Sequence, residues 1–92
     1  MKRASIPINT RCWVYILLDT ETKKQQIEYT INLSGKLHHS PNTALIYYRL
    51  FDNVLDALAH KLLLEELSPQ SVESIIRKTN PDFQNLGASL II

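Results

Sequence analysis

The segment RCWVYILLD, residues Arg11–Asp19, constrains the fold of this 92-residue chain more than any other. It is almost continuously apolar, it is rich in aromatic and β-branched side chains, and polar residues bound it at both ends. A run of this length is far too short to span a membrane, and its composition favours a strand over a helix. The sequence therefore predicts a largely buried strand.

A second strand is expected at Gln25–Ile31, where apolar and polar residues alternate and place Ile27, Tyr29 and Ile31 on one face. The polar connection DTETKK precedes it, so the two strands are predicted to form a hairpin. Asn32 then follows as the cap of a short helix that ends before Ser40-Pro41.

The second half of the chain predicts one strand and two helices. The strand is ALIYYRLF, Ala44–Phe51, and its alternation turns Tyr47 and Tyr48 to opposite faces. Asp52 or Asn53 caps the longer helix, whose expected apolar stripe is Val54, Leu55, Leu58, Leu62 and Leu67, widened by Leu63 and Leu64.

The last helix has start and stop residues of its own. Ser68 and Pro69 are suited to the cap and first position of this helix, and Asn80-Pro81 ends it. Phe83 and Leu86 are expected to pack back on the core. The predicted fold class is α/β with the order β-β-α-β-α-α, an extension at residues 1–10, a domain at 11–87 and an apolar tail at 88–92.

Composition limits the classes of function. The net charge is +1, which argues against a strongly electrostatic binder of nucleic acid or membranes, although residues 1–50 carry +4 and residues 51–92 carry −3. Cys12 is the only cysteine, so no internal disulfide forms, and a cytoplasmic protein is expected. No cofactor is expected, because two glycines cannot build a phosphate loop.

Metal and nucleophile sites are not expected from this sequence. The candidate nitrogen ligands are His38, His39 and His60, and adjacent histidines on a helix point about 100° apart, which does not suit one ion. Cys12 beside Trp13 is interpreted as a packing residue rather than a nucleophile.

The motifs WVYIL, LIYYRLF, DALAHKLLLEELS and NPDFQNL, in this order and spacing, resemble a small stand-alone GIY-YIG domain, a relative of the N-terminal nuclease domain of excinuclease. The resemblance covers residues 13–40 and 45–86. It implies a small three-stranded sheet flanked by helices and metal-dependent cleavage of nucleic-acid phosphodiesters.

The resemblance also identifies positions for the reaction, and several carry unsuitable residues. Tyr15 matches the tyrosine of the first motif and Thr30 matches as well, but the Tyr-Ile-Gly motif falls on Gln26-Ile27-Glu28. The arginine of the family falls on Lys36 and its metal-binding glutamate on Lys61. An ammonium group at Lys61 repels a divalent cation, so neither metal binding nor hydrolysis is expected.

Three functions follow as hypotheses. The first is a catalytically inactive GIY-YIG-like domain that acts as a protein-interaction module or homodimer, through the leucine-rich helix and the tail Leu90-Ile91-Ile92. The second is a nucleic-acid-binding remnant that uses Lys36, Lys61, Arg49 and Tyr48. The third is an active metal-dependent endonuclease with a rearranged site.

Overall fold

The apolar segment at the start of the chain forms the central strand of a three-stranded antiparallel sheet, with strand order β2-β1-β3. The computed structural model describes residues 9–36 and 42–87. Its elements are β1 (Cys12–Asp19), β2 (Gln25–Thr30), α1 (Leu33–Lys36), β3 (Thr43–Phe51), α2 (Val54–Glu66) and α3 (Pro69–Thr79). The predicted α/β class and element order are confirmed.

Several sequence-based expectations lie outside the described residues. They concern most of the extension at 1–10, Leu37, the histidines His38 and His39, the turn at Ser40-Pro41, and the tail at 88–92.

β1 is apolar on both faces because both faces are covered. Cys12, Val14 and Ile16 are fully buried in a core that includes residues of α2 and α3, and we call this side of the sheet the α2 face. Trp13, Tyr15 and Leu17 alternate with them and pack in a second cluster that includes Leu33 of α1, so we call this side the α1 face.

β3 contains a β-bulge. Ile16 pairs with Tyr47 and Leu17 pairs with Leu45, which leaves Ile46 as an additional residue on β3. Ile46 and Tyr47 are therefore both buried on the α2 face, and Tyr48 returns to the α1 face opposite Tyr15. The prediction that Tyr47 and Tyr48 differ in exposure is confirmed.

The expected buried face of β2 is partly wrong. Ile27 is half-buried and packs against the core, but Tyr29 is 45% exposed, and Ile31 lies beyond the strand end and is exposed. β2 is an edge strand, so its side chains have a neighbouring strand on one side only.

The helix caps agree with the sequence. The side-chain oxygen of Asn32 accepts a hydrogen bond from the Gly35 amide at 3.1 Å, and that of Asn53 accepts one from the Asp56 amide at 2.8 Å. Ser68 likewise accepts one from the Ser71 amide at 3.2 Å, with Pro69 in the first turn.

The apolar stripe predicted for α2 is correct in part, since Val54, Leu64 and Leu67 pack in the core of the α2 face. Ala57 and Leu64 are the buried residues, whereas Leu55 and Leu62, expected in the core, are each 58% exposed. Two apolar stripes run along this helix, and the one containing the small Ala57 lies against the sheet. Leu63, on the outward side, is also exposed.

The segment after α3 closes the outer edge of β3. The Leu86 amide donates to the Leu45 carbonyl at 2.8 Å, and the Leu45 amide donates to the Asn85 side chain at 3.1 Å. Phe83 packs on the core of the α2 face and Leu86 on that of the α1 face, as predicted.

Candidate functional site

Tyr15 is held as a neutral phenol. Its side chain is 5% exposed and packs with Leu33 and Leu45 on the α1 face. Burial raises the pKa of Tyr15, and the carboxylate of Glu28, its partner across the strands, raises it further. A tyrosine that must lose a proton needs the opposite environment.

Gln26 and Glu28 share the α1 face with Tyr15. Gln26 pairs with Leu17 and Glu28 pairs with Tyr15, so the three side chains of β2 and β1 project to the same side. The structure thus places Tyr15 and Gln26 on the same face of the sheet. The amide at position 26 offers neither a base nor a phenol, and the carboxylate at position 28 opposes ionisation of Tyr15.

Lys61 is engaged by an acidic neighbour on its own helix. Its Nζ lies 2.9 Å from Oε2 of Glu65, one turn along α2. This hydrogen bond raises the pKa of Lys61, and the charge of Glu28 adds to the rise. Lys61 therefore stays an ammonium group beside the β2 edge of the sheet.

The four residues expected to contact nucleic acid do not form one surface. Tyr48 is 36% exposed on the α1 face, with its ring centroid 5.8 Å from that of Trp13. Arg49 faces the other side, with its guanidinium carbon 5.0 Å from the ring centroid of Phe51. Lys36 is exposed at the end of α1, and Lys61 is paired with Glu65.

His60 has a role that the sequence analysis did not identify. Its Nε2 lies 2.9 Å from the hydroxyl of Tyr47, and its ring centroid is 5.1 Å from that of Phe51. Burial lowers the pKa of His60, and the charge of Arg49 lowers it further. The spacing Ala57, His60, Leu64 on one side of α2 indicates this inward position, so the signal was present in the sequence.

The outward side of α2 carries the most exposed large aliphatic side chains of the described residues. Leu55 and Leu62 are two turns apart and are each 58% exposed, and Leu63 is 50% exposed. Ala59 lies between them and is also exposed. We call Leu55, Ala59, Leu62 and Leu63 the outer α2 face.

Acidic side chains surround the outer α2 face. Glu66 lies at its C-terminal end, and Asp56 and Glu65 lie along its two sides, all of them exposed. The cation on this helix, Lys61, is held by Glu65. The arrangement is an apolar strip with a negative border, and it can bind a helix of complementary pattern.

No helix among the described residues has the length and apolar character needed to cross a membrane. Within residues 9–36 and 42–87, no three histidine, cysteine, aspartate or glutamate side chains come together as ligands for one metal ion. Cys12 is fully buried, and burial raises the pKa of its thiol, which agrees with a packing role.

Comparisons with protein-family models, with curated proteins and with solved structures find no match to this chain.

Proposed function

We propose that this chain is a GIY-YIG-like domain that lacks phosphodiester hydrolysis and acts as a protein-interaction module. Its partner binds the outer α2 face. The observation that carries this proposal is the exposure of Leu55, Leu62 and Leu63 along one side of a 13-residue helix. Side chains of this size are normally buried, and a contiguous exposed strip of them is typical of a protein-binding surface.

The partner is an amphipathic helix with a basic border. Apolar side chains at positions i, i+3 or i+4, and i+7 of such a helix match the spacing of Leu55, Ala59 and Leu62. Lysine or arginine beside this stripe complements Asp56, Glu65 and Glu66. A second copy of α2 fits less well, because its own acidic border would oppose the same carboxylates.

Three features support the loss of hydrolysis. Tyr15 is buried and its pKa is raised, Gln26 stands where the family has a tyrosine, and Lys61 stands where it has a metal-binding glutamate. Each feature removes a different requirement of the reaction. A neutral Tyr15 does not act as the base or orient the attacking water as one, Gln26 supplies no second phenol, and Lys61 supplies no metal ligand.

Synthetic peptides test the binding surface directly. One is a helical peptide with leucines at i, i+4 and i+7 and flanking lysines, and its control has the same leucines with flanking glutamates. Fluorescence anisotropy is expected to show binding of the lysine peptide only. The variants Leu55→Ser and Leu62→Ser each weaken binding by about tenfold or more, since each loses the burial of one leucine.

Ile31→Ser is the matched control variant, because Ile31 is a large aliphatic residue with a similar exposure, 49%, but it lies outside α2. It is expected to leave the peptide affinity unchanged. If neither peptide binds, or if Leu62→Ser and Ile31→Ser lower the affinity equally, the outer α2 face is not the binding surface.

Nucleic-acid binding is the second candidate. The observation that favours it is the aromatic pair of the half-buried Trp13 and the 36% exposed Tyr48 on the α1 face, since aromatic rings at a sheet surface stack bases. Its test is a salt-dependent mobility shift of DNA or RNA that weakens on Lys36→Ala and Lys61→Ala. A shift that is insensitive to both lysines would contradict this candidate as formulated.

A further inference from the structure

The outer edge of β2 presents backbone groups at three residues. The Asp19 amide donates to the Lys24 carbonyl at 2.8 Å, so the backbone of Lys24 faces β1. In an antiparallel ladder the direction alternates with each residue. The amide and carbonyl groups of Gln25, Ile27 and Tyr29 therefore point away from β1, toward the free edge.

The two edges of the sheet differ. Asn80, Asn85 and Leu86 occupy the outer edge of β3 through hydrogen bonds to Leu45 and Ile46. At the outer edge of β2, no strand pairs within residues 9–36 and 42–87. β2 also contains no proline and no bulge, two of the features that block pairing at a sheet edge.

We propose that two copies of this chain pair through β2 in antiparallel register, centred on Gln26. In this register Gln25 of one copy lies opposite Ile27 of the other, so the outward backbone groups of both residues find partners. The product is one six-stranded sheet with the α2 faces of both copies on the same side. This surface is separate from the outer α2 face, so the inference goes beyond the proposed function.

Charge complementarity selects the register. With Gln26 at the centre, Lys24 of each copy lies directly opposite Glu28 of the other, and both side chains are exposed on the α1 face. Centring on Glu28 places two carboxylates opposite each other, and centring on Ile27 leaves Lys24 opposite Thr30. The register centred on Gln26 therefore forms two Lys–Glu pairs that these alternatives do not.

A groove with a mixed polar and apolar lining lies beside the same edge. Its volume is about 300 Å³, and it runs between β2, the end of α2 and the start of α3. Its polar lining is Gln25 and Glu65, and its apolar lining is Ile27, Leu64, Leu67, Pro69 and Val72. Because Gln25 and Ile27 flank the proposed two-fold axis, the grooves of both copies face each other and bury apolar surface on pairing.

Charge reversal tests the pairing. Sedimentation of the wild type at high concentration is expected to give a molecular mass of twice the chain mass of 10.6 kDa. Lys24→Glu and Glu28→Lys each convert both Lys–Glu pairs into like-charge pairs, and each is expected to raise the dimer dissociation constant at least about tenfold. The double variant Lys24→Glu/Glu28→Lys restores the dimer, and Lys78→Glu, on α3, leaves it intact.

Amide hydrogen exchange supplies an independent measurement. The Gln25 and Ile27 amides are expected to gain protection as the concentration rises, because these two residues form the hydrogen-bonded pair between the two β2 strands in this register. A wild type that stays monomeric, a dimer unaffected by both single reversals, or a double variant that stays monomeric would each overturn the proposed pairing. A dimer that Leu62→Ser dissociates would assign self-association to the outer α2 face instead.

Discussion

The side-chain amide of Asn80 donates a hydrogen bond to the carbonyl oxygen of Ile46 at 3.0 Å, and Ile46 is the additional residue of the β-bulge in β3. The bulge takes this carbonyl out of the regular ladder with β1. Asn80, which is 4% exposed, also donates to the Gln84 carbonyl at 2.9 Å and accepts from the Gln84 amide at 3.0 Å. One buried side chain thus joins α3, the following segment and the edge of the sheet.

Asn80→Ala is expected to lower the free energy of unfolding by about 2–3 kcal/mol, because it leaves the buried carbonyl of Ile46 without a partner and removes the contacts to Gln84. Urea denaturation followed by circular dichroism measures this change. Gln70→Ala, at an exposed position of α3, is the control and is expected to change stability by less than about 0.5 kcal/mol. Equal effects of the two substitutions would contradict the structural role of Asn80.

His60 makes stability depend on pH. Its folded-state pKa lies below the ordinary value of 6.5, owing to burial and to the charge of Arg49. The unfolded chain therefore binds more protons than the folded chain between the two pKa values. Stability is fully present above about pH 6.5 and declines as the pH falls toward the folded pKa.

Urea titrations from about pH 5 to pH 8 test this dependence, with His60→Gln as the variant. The wild type is expected to lose stability on acidification below the ordinary histidine pKa of 6.5, and the variant to show a flatter profile over that range. Tyr47→Phe separates the hydrogen bond from the titration, because it removes the partner of Nε2 and leaves the imidazole in place. Identical pH profiles for wild type and His60→Gln would contradict the assignment.

A glutamate at position 61, where the resemblance to GIY-YIG domains implies a metal ligand, is not expected to give cleavage. Lys61→Glu removes the pair with Glu65 and places a third carboxylate near Glu28, so it is expected to cost about 0.5–1 kcal/mol of stability. The variant keeps Gln26, which offers neither a base nor a phenol, and it keeps the neutral Tyr15, so these two obstacles to hydrolysis are unchanged. Incubation with supercoiled plasmid and Mg²⁺ or Mn²⁺ is expected to give no nicking by wild type or variant.

The control for this assay is the same incubation with chelator. The contrary outcome is nicking by the wild type that is lost both with chelator and in the variant Tyr15→Phe. It would establish a rearranged active site and contradict the proposed function.

The sequence predicted the elements well, because each is defined by local periodicity and by caps such as Asn53 and Ser68. It did not predict the bulge at Ile46 or its hydrogen bond from Asn80, since this pairing joins residues 34 positions apart. Alternation along β3 correctly predicted different exposure for Tyr47 and Tyr48. It also turns Tyr48 and Arg49 to opposite faces of the sheet, which argues against one nucleic-acid-binding surface that contains both.

The assignment of Leu55 and Leu62 to the buried side of α2 was the largest error in the expected core. Both sides of this helix are apolar, and neither periodicity nor hydropathy decides between Leu55 and Leu62 on one side and Ala57 and Leu64 on the other. The choice depends on how closely the helix approaches the sheet, which is a tertiary property. Leu55, Leu62 and Leu63, which the sequence placed in the core, are therefore exposed and belong to the surface now proposed to bind a partner.

A chemical-shift titration of isotope-labelled protein with the lysine-flanked helical peptide tests the proposed binding surface residue by residue. We expect the largest amide shifts at Leu55, Ala59, Leu62, Leu63 and Glu66, and small shifts at Trp13 and Tyr48 on the α1 face of the sheet. Saturable shifts confined to α2 would support a binding module that uses its outer α2 face. Shifts centred on Trp13 and Tyr48, or none at all, would contradict it.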